Sequence, residues 1–199
     1  TVTGSDPNGN ASTWTNSSAL RVADGGNGTL NIQSGGSVTS TISFIGDDFN
    51  SIGTVTVTDP NSTWSNSSVL FIGTSGNGSL NVEAGASVTN GEGSIGHSLG
   101  GTGTVTVTGT SSTWTNTLNL LVGNSGNGTL NISDAGAVSN TTGIIGEDPN
   151  STGTVNLDGT GSTWTNAGIL HVGNFGNGTL HVLNGWGTSR TDGFVGDES

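Results

Sequence analysis

Few residues in this chain could do chemistry, and their spacing narrows what that chemistry is. Acidic pairs stand at Asp47-Asp48, Glu147-Asp148 and Asp197-Glu198, each directly after an aliphatic-Gly step, with His97-Ser98 in the matching slot between the first two. Adjacent carboxylates on a turn are a beginning for Ca²⁺, which takes several oxygen ligands. Each pair would have to complete its own site from backbone carbonyls, so Asp47, Asp48, Glu147, Asp148, Asp197 and Glu198 are calcium candidates and otherwise solvated turn residues. Acid–base cleavage of a polysaccharide needs clustered carboxylates, one of them with a raised pKa, beside Lys or Arg. The basic residues are Arg21 and Arg190, far apart in the chain. No catalytic residue and no cofactor is assigned, and the chain reads as non-enzymatic. His97, His171 and His181 show no metal-ligand spacing. The Asn-x-Ser/Thr sequons at Asn27, Asn66 and Asn127 follow from a composition rich in those residue types.

Composition sets the background. Charged residues make up 8% of the 199 residues, against roughly 25% in an average soluble domain. Gly supplies 37 residues, and Ser, Thr and Asn fill most of the remainder. A net charge of −12 argues against nucleic acid and anionic membrane surfaces, which select clustered Lys and Arg. No apolar run approaches the roughly 18 residues of a membrane-spanning helix. Cysteine is absent, which is compatible with export. The chain opens on Thr without a signal-peptide pattern, as expected of a mature or excised segment.

Such a composition is typical of disordered tracts, but strict periodicity overrides that reading. Trp14, Trp64, Trp114 and Trp164 recur every 50 residues, as do the Gly-Asn-Gly triplets beginning at Gly26, Gly76, Gly126 and Gly176. Gly28, Gly53, Gly78, Gly103, Gly128, Gly153 and Gly178 recur every 25 residues, so each 50-residue unit contains two related halves. Within a half, Gly-Thr-Val-Thr-Val alternates with the period of a strand. A Ser-Thr-Trp-x-Asn segment and a Leu-x-Val-Gly segment follow, separated by turn residues. Three short strands and three turns per 25 residues describe one rung of a parallel β-helix, and a repeat of this length points to a solenoid. The expected fold is all-β: a right-handed β-solenoid of about eight rungs, roughly 35–40 Å long at the inter-strand spacing. It forms a single domain over 1–199, with repeat units near 1–27, 28–77, 78–127, 128–177 and 178–199.

Columns down the stack follow from the repeat. First-strand pairs from Leu30 and Ile32 to Leu180 and Val182 should be buried. Trp14, Val38, Trp64, Val88, Trp114, Val138 and Trp164 share a second-strand column, placed in the core, with Thr188 next in line and Trp186 in the slot of Gly136. A pleat shifted by one residue would instead expose the tryptophans as a sugar platform. Asn16, Ser40, Asn66, Asn90, Asn116, Asn140 and Asn166, with Arg190 at the end, form a ladder expected to hydrogen-bond from rung to rung. Gly-Asn-Gly is read as a tight turn requiring positive φ, and Gly4–Ala11 as an enlarged first turn.

If the third strands bury Leu20, Val22, Leu70, Ile72, Leu120, Val122, Leu170 and Val172, their neighbours face outward. These are Arg21, Phe44, Phe71, Ser94, Leu121, Ile144, His171 and Phe194, with Val69 and Ile169 on the same side. Phe44, Val69, Phe71, Leu121, Ile144, Ile169 and Phe194 are the interface candidates, because an apolar stripe of this extent marks an interaction surface. The first strand's outer face is Thr and Asn, a flat column that could order water as an ice-binding face, except that Glu83, Asp158 and His181 break it.

The combination of Ser-Thr-Trp-Thr-Asn with Gly-Asn-Gly-Thr-Leu, repeated through nearly the whole chain, resembles the repeat of bacterial autotransporter (type V secretion) passengers and PEP-CTERM-associated surface proteins. The resemblance implies export and a right-handed β-helical stalk at or outside the bacterial cell surface, and it brings no catalytic residues. The expected role is a structural rod for adhesion, surface display or matrix and biofilm assembly, through end-to-end or lateral self-association. The alternative is a carbohydrate- or surface-binding adhesin module.

Overall fold

The structure, a computed structural model, describes residues 1–4, 10–184, 186–189 and 193–196. Its strands form three parallel sheets of eight strands each, and every sheet takes one strand per rung in chain order. Rung one comprises Val2–Thr3, Thr13–Thr15 and Ala19–Val22; rung eight comprises Asn177–Leu183, Trp186–Ser189 and Gly193–Val195. The protein is a parallel β-solenoid of about seven turns of the coil, each turn about one 25-residue unit long.

The register keeps like residues in line. In the first sheet Gly28 lies opposite Gly53, Gly53 opposite Gly78, and so on to Gly178. Those glycines stand where two backbone segments nearly touch: a Cβ on Gly53 would lie 2.5 Å from both Val22 O and Gly46 N. The 25-residue glycine period is therefore a steric requirement of the corner between the third and first sheets. Positive φ falls elsewhere than expected. It occurs at the glycines that end the third strands, Gly46, Gly73, Gly96, Gly123, Gly146 and Gly173, with φ between 66° and 73°. The Gly-Asn-Gly triplets have no positive φ, and their Asn-Gly opens the next strand, as in Asn127–Ser133. That expectation is corrected: the left-handed turn precedes the triplet.

The inner faces carry the alternation that the strands require. Val55, Val57, Leu80, Val82, Val105, Val107, Leu130, Ile132, Val155 and Leu157 are buried from the first sheet, and Leu70, Ile72, Leu120 and Val122 from the third. Trp64, Trp114 and Trp164 lie inside with Val88 and Val138, which removes the sugar-platform reading for these three. Trp14 shares their register through Val38 but is 42% exposed, because rung one is stacked on one side only. Val182 at the other end is likewise exposed, and Leu180 is only partly buried.

Each residue of the Ser-Thr-Trp-x-Asn segment has a task. Ser62, Ser112 and Ser162 accept backbone hydrogen bonds from Gly35, Gly85 and Ala135 in the preceding rung. Thr63 and Thr113 donate to Ser37 and Ser87. The Trp fills the core, and the Asn enters a buried polar ladder. Asn90 donates to Asn116 at 2.6 Å, and Asn140 to Asn166 at 2.5 Å. The Oδ1 atoms of Asn90 and Asn140 accept from Trp114 Nε1 and Trp164 Nε1, each at 2.7 Å. The ladder thus runs in pairs tied to tryptophan. Asn16 caps its own turn by donating to Ala19 O.

The last rung departs from the repeat. Gly187, not Thr188, stands opposite Trp164, and Trp186 stands opposite Thr163, the neighbour of Ala137 in the same column. The second strand of this rung enters one residue early, next to the antiparallel bridge of Asn184 with Asp158. Arg190 and most of the enlarged first turn fall outside the described residues.

Candidate functional site

The third sheet is built from four-residue strands with short turns, so each strand shows alternate residues to solvent. Val69–Ile72, Asn119–Val122 and Thr142–Ile145 alternate half-buried and buried residues. The outward column is as expected in register: Arg21 opposite Phe44, Phe44 opposite Phe71, Phe71 opposite Ser94, Ser94 opposite Leu121, Leu121 opposite Ile144, Ile144 opposite His171 and His171 opposite Phe194. Val69 and Ile169 are half-buried on the same face. Ile42, in line with Ala19, belongs there too and is not among the candidates read from sequence.

Side chains along this column touch one another. The Arg21 guanidinium lies 4.6 Å from the Phe44 ring centroid, a cation–π contact. Phe44 and Phe71 stack at 5.1 Å with an interplanar angle of 20°. Phe71 meets the His97 ring at 4.4 Å, and His171 stacks on Phe194 at 5.2 Å. Parallel, in-register strands bring such rings within stacking range at each step. The stripe is therefore ordered by its own contacts.

His97 breaks the stripe at its middle. Ser94 has the outward register position but is 1% exposed. Its hydroxyl lies 3.0 Å from His97 Nδ1, and Asn124 Nδ2 lies 2.9 Å from the same nitrogen. Burial holds the His97 pKa below its ordinary value, against the opposing pull of Glu92 and Asp148. Glu92 receives Asn119 Nδ2 at 3.4 Å. The face thus has an apolar block around Phe44 and Phe71, a polar centre, and a second apolar block around Leu121 and Ile144.

The acidic turns lie at the corner beside this face, and the carboxylates of Asp47, Glu147 and Asp148 are engaged by neighbours. Asp47 accepts from Arg21 Nε at 2.7 Å, with Asp24 3.2 Å from the same nitrogen. Glu147 accepts from Asn174 Nδ2 at 3.0 Å, and Asp148 from Ser125 Oγ at 2.5 Å. Asp48 is exposed, while Asp197 and Glu198 lie outside the described residues. Among the described residues no group of three or more His, Cys, Asp or Glu side chains is placed to hold a metal ion. His181 is exposed on the first sheet.

A second set of apolar residues escaped the sequence reading. Phe49 is 77% exposed and Leu99 83%, at the tips of the same corner turns that carry Asp47-Asp48 and His97-Ser98, with Pro149 exposed in the third copy of the slot. Their 50-residue spacing is the sequence signal that marks them. Leu118 and Phe175 are also exposed.

This fold and face define a class: a parallel β-solenoid repeat protein with an apolar, ring-lined column on one outer face. No family model matches the chain, and no curated protein or solved structure matches it. Among the described residues no helix is long and apolar enough to cross a membrane.

Proposed function

We propose that the chain is a non-enzymatic structural rod of an exported bacterial surface or extracellular filament protein, serving adhesion, surface display or matrix assembly through self-association. The observation that carries this reading is the outer column of the third sheet, where Phe44, Phe71, Leu121 and Ile144 stay partly exposed although the inner faces bury residues of the same type completely. Partly exposed apolar surface of this extent is a signature of interaction. The rung-to-rung register supports a mechanical role, since every sheet continues through all rungs. The resemblance to autotransporter-type repeats supports export.

The test is sedimentation and electron microscopy of the parent chain and of Phe71→Asp with Leu121→Asp. The parent is expected to form larger species as concentration rises, and the double variant to stay monomeric with an unchanged circular dichroism spectrum. Equal assembly of the two proteins sinks the reading.

A carbohydrate-binding module is the second reading. It is favoured by the outer face of the first sheet, where Thr29, Thr54, Ser79, Thr104, Thr129 and Thr154 align in an uncharged hydroxyl column. Glycan-array binding by the double variant would favour it over the first.

A further inference from the structure

The two halves of the third-sheet face complement each other in reverse order, and we propose that two copies of this chain pair face to face through it with their rods antiparallel. The proposal rests on the self-association reading above and adds to it the orientation and register. A two-fold axis lying in the interface, parallel to the strands and midway between Glu92–Ile95 and Asn119–Val122, keeps each position along a strand and reverses the order of rungs. Rung one then meets rung eight of the second copy, rung two meets seven, three meets six, and four meets five.

The residues brought together suit one another. Arg21, already over the Phe44 ring, comes opposite Phe194, whose ring is 41% exposed, which offers a second cation–π contact. Phe44 meets His171, ring against ring, and Phe71 meets Ile144. At the centre Leu121 meets the His97 ring that covers Ser94. In the neighbouring column Ile42 meets Ile169, and Glu92 meets Asn119, an acceptor facing an amide donor that already reaches Glu92 within one chain. Among the described residues of these strands no carboxylate is set against another.

The alternative two-fold, along the rod, keeps rungs level and fails on the same residues. It places the two Glu92 carboxylates on one level, roughly 7 Å apart across two residue steps, on a chain of net charge −12. It likewise levels the two Arg21 side chains. Interfaces gain specificity by arranging unlike potentials and avoiding like ones, so antiparallel pairing is the favoured member.

Size sets the strength. Eight strands of about four residues cover roughly 35 by 13 Å, or about 450 Å² per copy. A standard stable interface buries about 800 Å² per partner. Pairing of this chain over these eight strands is therefore weak and concentration-dependent.

The chain has no cysteine, so single substitutions report the geometry directly. Ile42→Cys and Ile169→Cys chains carrying different mass tags are mixed at concentrations where the parent associates, and oxidised with diamide. Thermal melts verify that both variants fold. The expected product is the mixed disulfide, at least about tenfold over either homodimer, since rung two meets rung seven. Predominance of homodimers, or a mixed product at no more than the statistical excess of about two over each homodimer, in a parent that does associate overturns the antiparallel register while leaving self-association standing. A parent that stays monomeric by sedimentation overturns both.

Discussion

The Trp64 pocket offers a test of why the repeat has the residues it has. Trp114 and Trp164 donate their indole N–H to Asn90 and Asn140, whereas Trp64 Nε1 is buried without a partner. The residue in the corresponding place is Ser40, too short to reach. The asparagine needs room, and Gly93 and Gly143 supply it three residues later. A Cβ on Gly93 would lie 2.8 Å from Trp114 Cζ2, and one on Gly143 3.0 Å from Trp164 Cζ2, each also pressing on the next asparagine of the ladder. Position 43 is instead Ser, whose hydroxyl lies 2.8 Å from that of Ser40, with both hydroxyls in reach of the Asn66 carbonyl. Asn with Gly, or Ser with Ser, are thus two fillings of one pocket. Ser40→Asn alone crowds the amide against Ser43 and should cost about 1–2 kcal/mol, as overpacking does. Ser40→Asn with Ser43→Gly should satisfy the indole, which is worth about 1–3 kcal/mol, less about 0.5–1 kcal/mol for a glycine in a strand. The net expectation is a gain of about 1 kcal/mol for the pair and, with Ser43→Gly alone costing about 0.5–1 kcal/mol, a coupling of about 2.5–4 kcal/mol. Urea unfolding followed by tryptophan fluorescence on all four members of the cycle measures it. Additivity within about 0.5 kcal/mol, the behaviour of independent sites, would refute the idea that the two fillings are alternatives.

Two further expectations follow from burial. Trp114→Ala removes a fully buried side chain and should cost about 3–5 kcal/mol, whereas Trp14→Ala, at the exposed end of the same column, should cost well under half of that; equal losses of thermal stability would contradict the stacked-core account. His97 has a folded-state pKa lowered from 6.5, chiefly by burial, so the unfolded chain binds protons more readily just below that value. Its contribution is therefore fully present at neutral pH and is lost as pH falls through the window under 6.5. The urea midpoint should drop between pH 7 and pH 5 more steeply in the parent than in His97→Gln, and identical slopes would exclude His97 as the cause.

The repeat made much of this molecule legible. Glycine every 25 residues and Trp every 50 imply rungs of one length, and rungs of one length put like residues in columns, because parallel in-register strands stack position on position. The outward column from Arg21 to Phe194 followed from that alone. Its surroundings did not. Ser94 is covered because a turn residue, His97, folds back over it, and a turn's direction depends on the neighbouring rung.

The phase of the pleat was a matter for the tertiary structure. A shift of one residue exchanges the two faces of a strand, and both phases of Ser-Thr-Trp-x-Asn place a plausible set of residues inside. In the buried phase the indole fills the core, and for Trp114 and Trp164 its N–H also meets an asparagine from the rung before. That partner is 24 residues away in the chain and one rung away in space. Periodicity defines which residues share a column, but only the closed coil decides which column meets the interior and which meets solvent.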